Sequence, residues 1–243
     1  LMTRIALISL AAALLAAPGR SAQVTNVIDP FTTLQLISTN NATVTNTVAS
    51  TSIGGYRTLI LGTAGGDPLF GSTILGVDNA SQQLILNTPA AATPSFEVLW
   101  AGEGGTNGLG GIDFGGGQTL DLFTSVLSFA LGSTDQPNDF TWTFTDTANN
   151  TATYTGSFPA HSSLDPALPY DIALASFANA GSVDWNAIDS ISFAGGNASG
   201  VDMTAEAPFQ VVASTVPEPG TWALLAAGLG LTAFVLHCRA RRC

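Results

Sequence analysis

Between Phe140 and Thr145 the chain reads Phe-Thr-Trp-Thr-Phe-Thr, a pattern that no amphipathic helix can bury. A helix turns every 3.6 residues and would scatter those rings around its axis. A strand alternates faces at every residue, so Phe140, Trp142 and Phe144 share one side and three threonines share the other. Asp146-Thr-Ala-Asn-Asn150 then supplies turn chemistry, and Thr151 to Thr155 resumes the alternation, which predicts a β-hairpin.

Similar short runs recur along the chain. Tyr56 to Leu61, Ser72 to Val77, Gln83 to Asn87, Phe96 to Trp100, Leu122 to Leu131, Asp171 to Phe177, Ser190 to Ala194 and Pro208 to Ala213 all read as strands. Glycine-rich breaks separate many of them, at Gly65-Gly66, Gly104-Gly105, Gly110-Gly111 and Gly115 to Gly117. No amphipathic helix is expected between the two ends. The expected fold is therefore all-β, with a sandwich or jelly-roll body spanning residues 23–212.

Charge narrows the function. Between Gln23 and Thr215 there are sixteen carboxylates and a single basic side chain, Arg57, for a net charge near −15. Such a body lacks the cations needed to displace counterions from a phosphate backbone, so nucleic acid is not an expected partner. The body also has no cysteine, since Cys238 and Cys243 lie in the tail. It must be held by an ordinary core rather than by disulfides.

The two ends read as addressing segments. Thr3-Arg4 precedes an apolar run of thirteen residues, Ile5 to Ala17, and small residues then break the run. That is the layout of a secretory signal peptide, assigned to residues 1–22. At the other end, Thr221 to Cys238 carries no Asp, Glu, Lys or Arg over 18 residues. As a helix it would be ~27 Å long, enough to cross a bilayer core. Trp222 stands at one edge of the run, and Arg239, Arg241 and Arg242 stand at the other. Indole rings favour the membrane interface and arginines stay cytoplasmic, so the body is placed outside. Residues 221–243 thus read as a transmembrane helix with a basic cytoplasmic tail, joined to the body by a linker at 213–220. An anchor alone has no need of Pro217-Glu218-Pro219. Two prolines keep that segment extended and accessible just outside the membrane.

The order Val216-Pro-Glu-Pro-Gly-Thr-Trp-Ala-Leu-Leu225, then an apolar span, then terminal arginines, resembles the PEP-CTERM sorting signal. The resemblance covers Val216 to Arg242. It implies recognition by exosortase, a membrane processing enzyme of Gram-negative bacteria that make extracellular polysaccharide. It also implies export across the inner membrane, transient anchoring there, and delivery to the cell surface or extracellular matrix. The body has a family look too. Ile53-Gly-Gly-Tyr-Arg57, the strand ending at Trp100, Gly111-Ile-Asp-Phe-Gly115, the Trp142 hairpin, Asp184-Trp-Asn-Ala-Ile-Asp-Ser-Ile-Ser-Phe193 and Val201-Asp202-Met203 occur in that order. They are similar to a β-rich body of unknown function common among PEP-CTERM proteins, except that Trp100-Ala101-Gly102 stands where that pattern has Trp-Asp-Gly.

Catalytic groups are scarce. His161 sits in Pro159-Ala-His-Ser-Ser163 without a nucleophile elbow, and one histidine cannot build a zinc site. Gly102-Glu-Gly-Gly105 and Gly108-Leu-Gly-Gly111 lack the strand–turn–helix setting of a nucleotide loop. Glu97, Glu103, Asp113 and Asp121 are the candidates for a carboxylate pair. No enzyme activity and no resident cofactor are expected. Asp135 and Asp139, in a loop with Asn138, are weak candidates for calcium. The leading expectation is a structural or adhesive surface or matrix protein, with exopolysaccharide as its neighbour. The alternative is a carbohydrate-binding, less so carbohydrate-cleaving, module delivered to the same place. Exposed Trp100 and Trp185 would favour that alternative, because sugar rings stack on aromatic faces.

Overall fold

The computed structural model describes residues 23–64, 71–105, 108–216, 228–230 and 232. Its strands are β1 (Gln23–Asp29), β2 (Gln35–Thr39), β3 (Val44–Ala49), β4 (Tyr56–Ala64), β5 (Thr73–Asp78), β6 (Gln83–Asn87) and β7 (Thr93–Trp100). They continue with β8 (Val126–Thr134), β9 (Asn138–Asp146), β10 (Thr151–Phe158), β11 (Leu168–Ala173), β12 (Ile188–Gly195) and β13 (Met203–Ser214). One sheet runs β11-β8-β13-β6-β5-β2, with β1 also paired to β13. The second runs β10-β9-β12-β7-β4-β3. Every named pair is antiparallel, and the two sheets pack face to face as a sandwich.

The expected hairpin is β9–β10, with Trp142 opposite Tyr154 and Phe144 opposite Ala152. Phe140, Trp142 and Phe144 are buried as their spacing predicts. They meet an aromatic cluster from both sheets. Trp142 stacks on Trp100 with centroids 6.0 Å apart, and lies 4.8 Å from Phe193 and 5.3 Å from Phe209.

Three strands, β1 to β3, go beyond the sequence expectation, and several boundaries move. Leu122 to Ser125 is a turn rather than the start of β8. The Asp121 side chain accepts the Phe123 N–H, and its backbone carbonyl accepts the Thr124 and Ser125 N–H groups, which holds the turn. Leu174 to Ser176, expected as strand, is a single 3-10 turn. The Asp135–Asp139 loop is also shorter than expected, since β9 already begins at Asn138. At the far end β13 reaches Ser214, and the backbone of Thr215 and Val216 still pairs with residues 119 and 120. The sheet therefore runs past residue 212 into the expected linker.

The signal segment 1–22, the Pro217–Pro219 triplet, Trp222 and the arginines at 239, 241 and 242 lie outside the described residues. In the apolar tail, residues 228–230 and 232 are helical, and Thr232 Oγ1 donates to the Gly228 carbonyl at 2.7 Å. Among the described residues no helix is long and apolar enough to cross a membrane.

Candidate functional site

Arg57 is the only basic side chain of the body, and it is fully buried. Its Nη1 donates to both carboxylate oxygens of Asp29, at 3.1 and 2.9 Å. Its Nε donates to Gln35 Oε1 at 2.8 Å, and Nη2 donates to the Thr33 carbonyl at 2.6 Å. The Asp29 carboxylate also accepts the Trp100 Nε1–H at 2.9 Å and the Phe31 N–H at 2.8 Å. Gln35 completes the network by donating to the Asn46 carbonyl and side chain. Asp29 and Gln35 come from the first sheet, whereas Arg57 and Trp100 come from the second. The cluster is thus a closed polar clamp between the sheets, with no face open to a ligand.

A second organising carboxylate is Asp146, also buried, at the β9–β10 turn. It accepts the Asp184 N–H at 2.9 Å and the Asn150 side-chain N–H at 2.9 Å, together with the Ala148 and Asn150 backbone N–H groups. These bonds, the one from Asp184 foremost and the Asn150 side chain next, pull its pKa from 3.8 down to about 2. A depressed carboxylate stabilises the fold above its unfolded pKa and loses that contribution as pH falls through the folded value. Asp146→Asn should therefore melt below wild type at neutral pH. The gap should narrow as pH falls from about 4 and close near pH 2. A gap that stays constant across that window would contradict this role; paired thermal melts measure it.

The tryptophans considered as sugar platforms are not exposed. Trp100 and Trp185 are 0% and 5% accessible, and Trp185 Nε1 donates to the Ala180 carbonyl. The carboxylate candidates are also dispersed. Glu97 lies on the outer face of β7, Glu103 lies in a 3-10 turn, Asp113 accepts the Gly117 N–H, and Asp121 caps its turn. His161 pairs through its backbone with Thr134, and its ring contacts the Pro166 carbonyl. The calcium candidates point to different tasks. Asp135 accepts the Asp202 N–H at 2.8 Å, whereas Asp139 is exposed on β9 opposite Ser157. Among the described residues no three His, Cys, Asp or Glu side chains gather where they could hold a metal ion.

The outer face of the second sheet offers a different kind of surface. Opposite residues across β10 and β9 are Thr151 and Thr145, Thr153 and Thr143, and Thr155 and Thr141. On β12, Ser190 and Ser192 continue the first two rows. Because Phe140, Trp142 and Phe144 point inward, these threonines point out. Thr141 and Thr155 hydroxyls lie 3.2 Å apart. The result is a grid of hydroxyls spaced ~4.8 Å between strands and ~7 Å along them. Farther along, at β4, Thr58 is closed off by the 102–105 segment, so the open part belongs to β9, β10 and β12. Its carboxylates stand at its margins, Asp139 at one end and Glu97 beyond β12. The threonine rows themselves are uncharged, but the carboxylates beside them have no exposed arginine or lysine to offset them among the described residues. The alternating threonines were visible in the sequence, but the rows they form needed the strand pairing.

A model of the PEP-CTERM protein-sorting motif matches residues 215–242. The motif implies an exported, exosortase-sorted protein that is anchored transiently in a membrane before release at the surface. No curated protein matches the chain. Among solved structures, it is similar to the family 11 carbohydrate-binding module of the cellulosomal cellulase Lic26A-Cel5E of Clostridium thermocellum. That likeness is 15% identical, covers 82% of this chain and 99% of that one, and has a TM-score of 0.38. It is also similar to the agarase AgWH50C, at 8% identity over 65% of this chain and 23% of the other, with a TM-score of 0.41. A third is TmCBM61 in complex with β-1,4-galactotriose, at 8% identity over 74% and 88%, with a TM-score of 0.31.

Proposed function

We propose that this chain is a non-catalytic structural or adhesive protein of the cell surface or exopolysaccharide matrix, delivered by exosortase from a transient anchor in the inner membrane of a Gram-negative bacterium. The adhesive element in this reading is the hydroxyl grid of β9, β10 and β12. One observation carries it: the outward threonines of β9 and β10 align into rows of hydroxyls that Ser190 and Ser192 of β12 extend. Each hydroxyl donates one hydrogen bond and accepts two, which suits a polyhydroxylated polymer.

Exchanging Thr141, Thr143 and Thr153 for valine tests the face. Valine keeps the volume and β-branching and removes only the hydroxyl. At about 1 kcal/mol per hydrogen bond, the triple variant should leave the matrix about a hundredfold more readily. Its melting temperature should barely change. Unchanged retention in a matrix pull-down would remove the grid from the account. The alternative module with defined sugar specificity differs in one readout, since it would bind short oligosaccharides in solution whereas a matrix adhesive needs the polymer.

Delivery is tested separately. Deleting Pro217 to Pro219 should leave the full-length chain in the inner-membrane fraction, while wild type reaches the surface. Equal surface delivery of both would reduce the tail to an ordinary anchor.

A further inference from the structure

Both chain exits lie at one end of the sandwich. Gln23, where β1 begins, is opposite Ser214, where β13 ends. Segment 119–125 closes that end. The Asp121 N–H donates to the Ser214 carbonyl at 2.8 Å, the Ser214 N–H to Ser125 Oγ at 2.9 Å, and the Val216 N–H to the Thr119 carbonyl at 2.9 Å. Phe123 sits on this strap with 83% of its surface exposed, and Val216, bonded to Thr119 of the same strap, is 45% exposed. Leu120 and Leu122 line an adjoining groove with Val183 and Trp185. Only residues 217–220 separate Val216 from Thr221, where the apolar run starts. Fully extended, that tether spans about 15–18 Å. An anchored tail therefore keeps this end within that distance of the bilayer surface.

We propose that the anchored protein docks this end on the membrane, with Phe123 inserted in the interfacial layer of zwitterionic lipid. Aromatic rings partition to that layer. The local carboxylates are engaged with their own loops: Asp121 with the Phe123 N–H, Asp113 with Gly117, and Asp184 with Asn186. The strongly acidic body disfavours anionic headgroups. Docking fixes the height of the body and keeps Pro217 to Pro219 at the lipid surface, within reach of a membrane enzyme. The inference rests on the tail being a membrane anchor.

The test uses the full chain with Cys238→Ser and Cys243→Ser, reconstituted in phosphatidylcholine vesicles. A nitroxide is placed by Phe123→Cys, or by Leu164→Cys in the 159–166 segment, whose His161 pairs with Thr134 at the opposite end of β8. Leu164 is 94% exposed and serves as the control. The protein should float with the vesicles. The label at 123 should then be several-fold less accessible to a water-soluble nickel chelate than the label at 164, and relatively more accessible to oxygen. Equal nickel accessibility in floating protein overturns the docking and leaves the anchor intact. Failure to float overturns both. Protection at 123 without lipid, with spin–spin broadening between labels, assigns the surface to a second copy and also overturns the proposal.

Discussion

Asp29→Ala should destabilise the body by about 3–5 kcal/mol, because it strands a buried guanidinium. Arg57 is fully enclosed, and Asp29 supplies its carboxylate at 2.9 Å. Water cannot take the place of that carboxylate without opening the sandwich. The substitution also removes the acceptor for Trp100 Nε1 and for the Phe31 N–H. Each orphaned donor adds its own desolvation cost. A companion variant separates charge from packing. Asp29→Ala combined with Arg57→Met removes both charges and should recover part of the loss, since exchanging an entire buried pair costs far less than breaking one. Urea unfolding of residues 23–216 measures both. A single variant as stable as wild type, or a double variant no more stable than Asp29→Ala alone, would show that the clamp does not hold the sheets.

Trp142→Ala should cost a similar ~3–5 kcal/mol, from lost burial and the cavity left behind. Its ring packs against Trp100, Phe193, Phe209, Phe129 and Phe144, so the space cannot collapse onto one flexible neighbour. Thr143→Ala, one residue away on the outer face, should cost ~1 kcal/mol or less. Trp142→Phe sharpens the comparison. Trp142 Nε1 is buried and makes no hydrogen bond. Phenylalanine removes that donor along with some volume, so its cost should fall well below that of alanine. Equal losses for Trp142→Ala and Thr143→Ala in the same denaturant series would contradict the register of β9. The two sites should also couple, because Trp100 stacks on Trp142 while donating to Asp29.

Most strands were legible because their inward faces are apolar at every second residue. Gln83–Asn87 was recovered to the residue, and β9–β10 as a hairpin with Phe140, Trp142 and Phe144 facing inward. The missed strands break that rule for identifiable reasons. On β2 the inward positions include Gln35 and Thr39, while Leu36 faces out at 66% exposure. Its pattern is inverted because Gln35 serves the Arg57 clamp. On β3, Thr45, Asn46 and Thr47 carry too little apolar character to signal an edge strand. The clamp itself was not legible, since Asp29 and Arg57 are 28 residues apart and meet only across the two sheets. The hydroxyl grid was half legible: the threonines announced an outer face, but not their alignment into rows. The tail was the reverse. Its triplet, apolar span and arginines were read as one signal, and a family model matches that same stretch.

Sorting at the tail is the central claim, and the intact mass of the mature surface protein tests it most directly. Wild type recovered from the surface or matrix should lack the apolar span and Arg239, Arg241 and Arg242, with its C-terminus at or near Pro217 to Pro219. The chain lacking that triplet should keep its full mass and remain with the inner membrane. Mature surface protein whose mass still includes Arg242 and Cys243 would contradict exosortase sorting and leave a β-sandwich held by an ordinary membrane anchor.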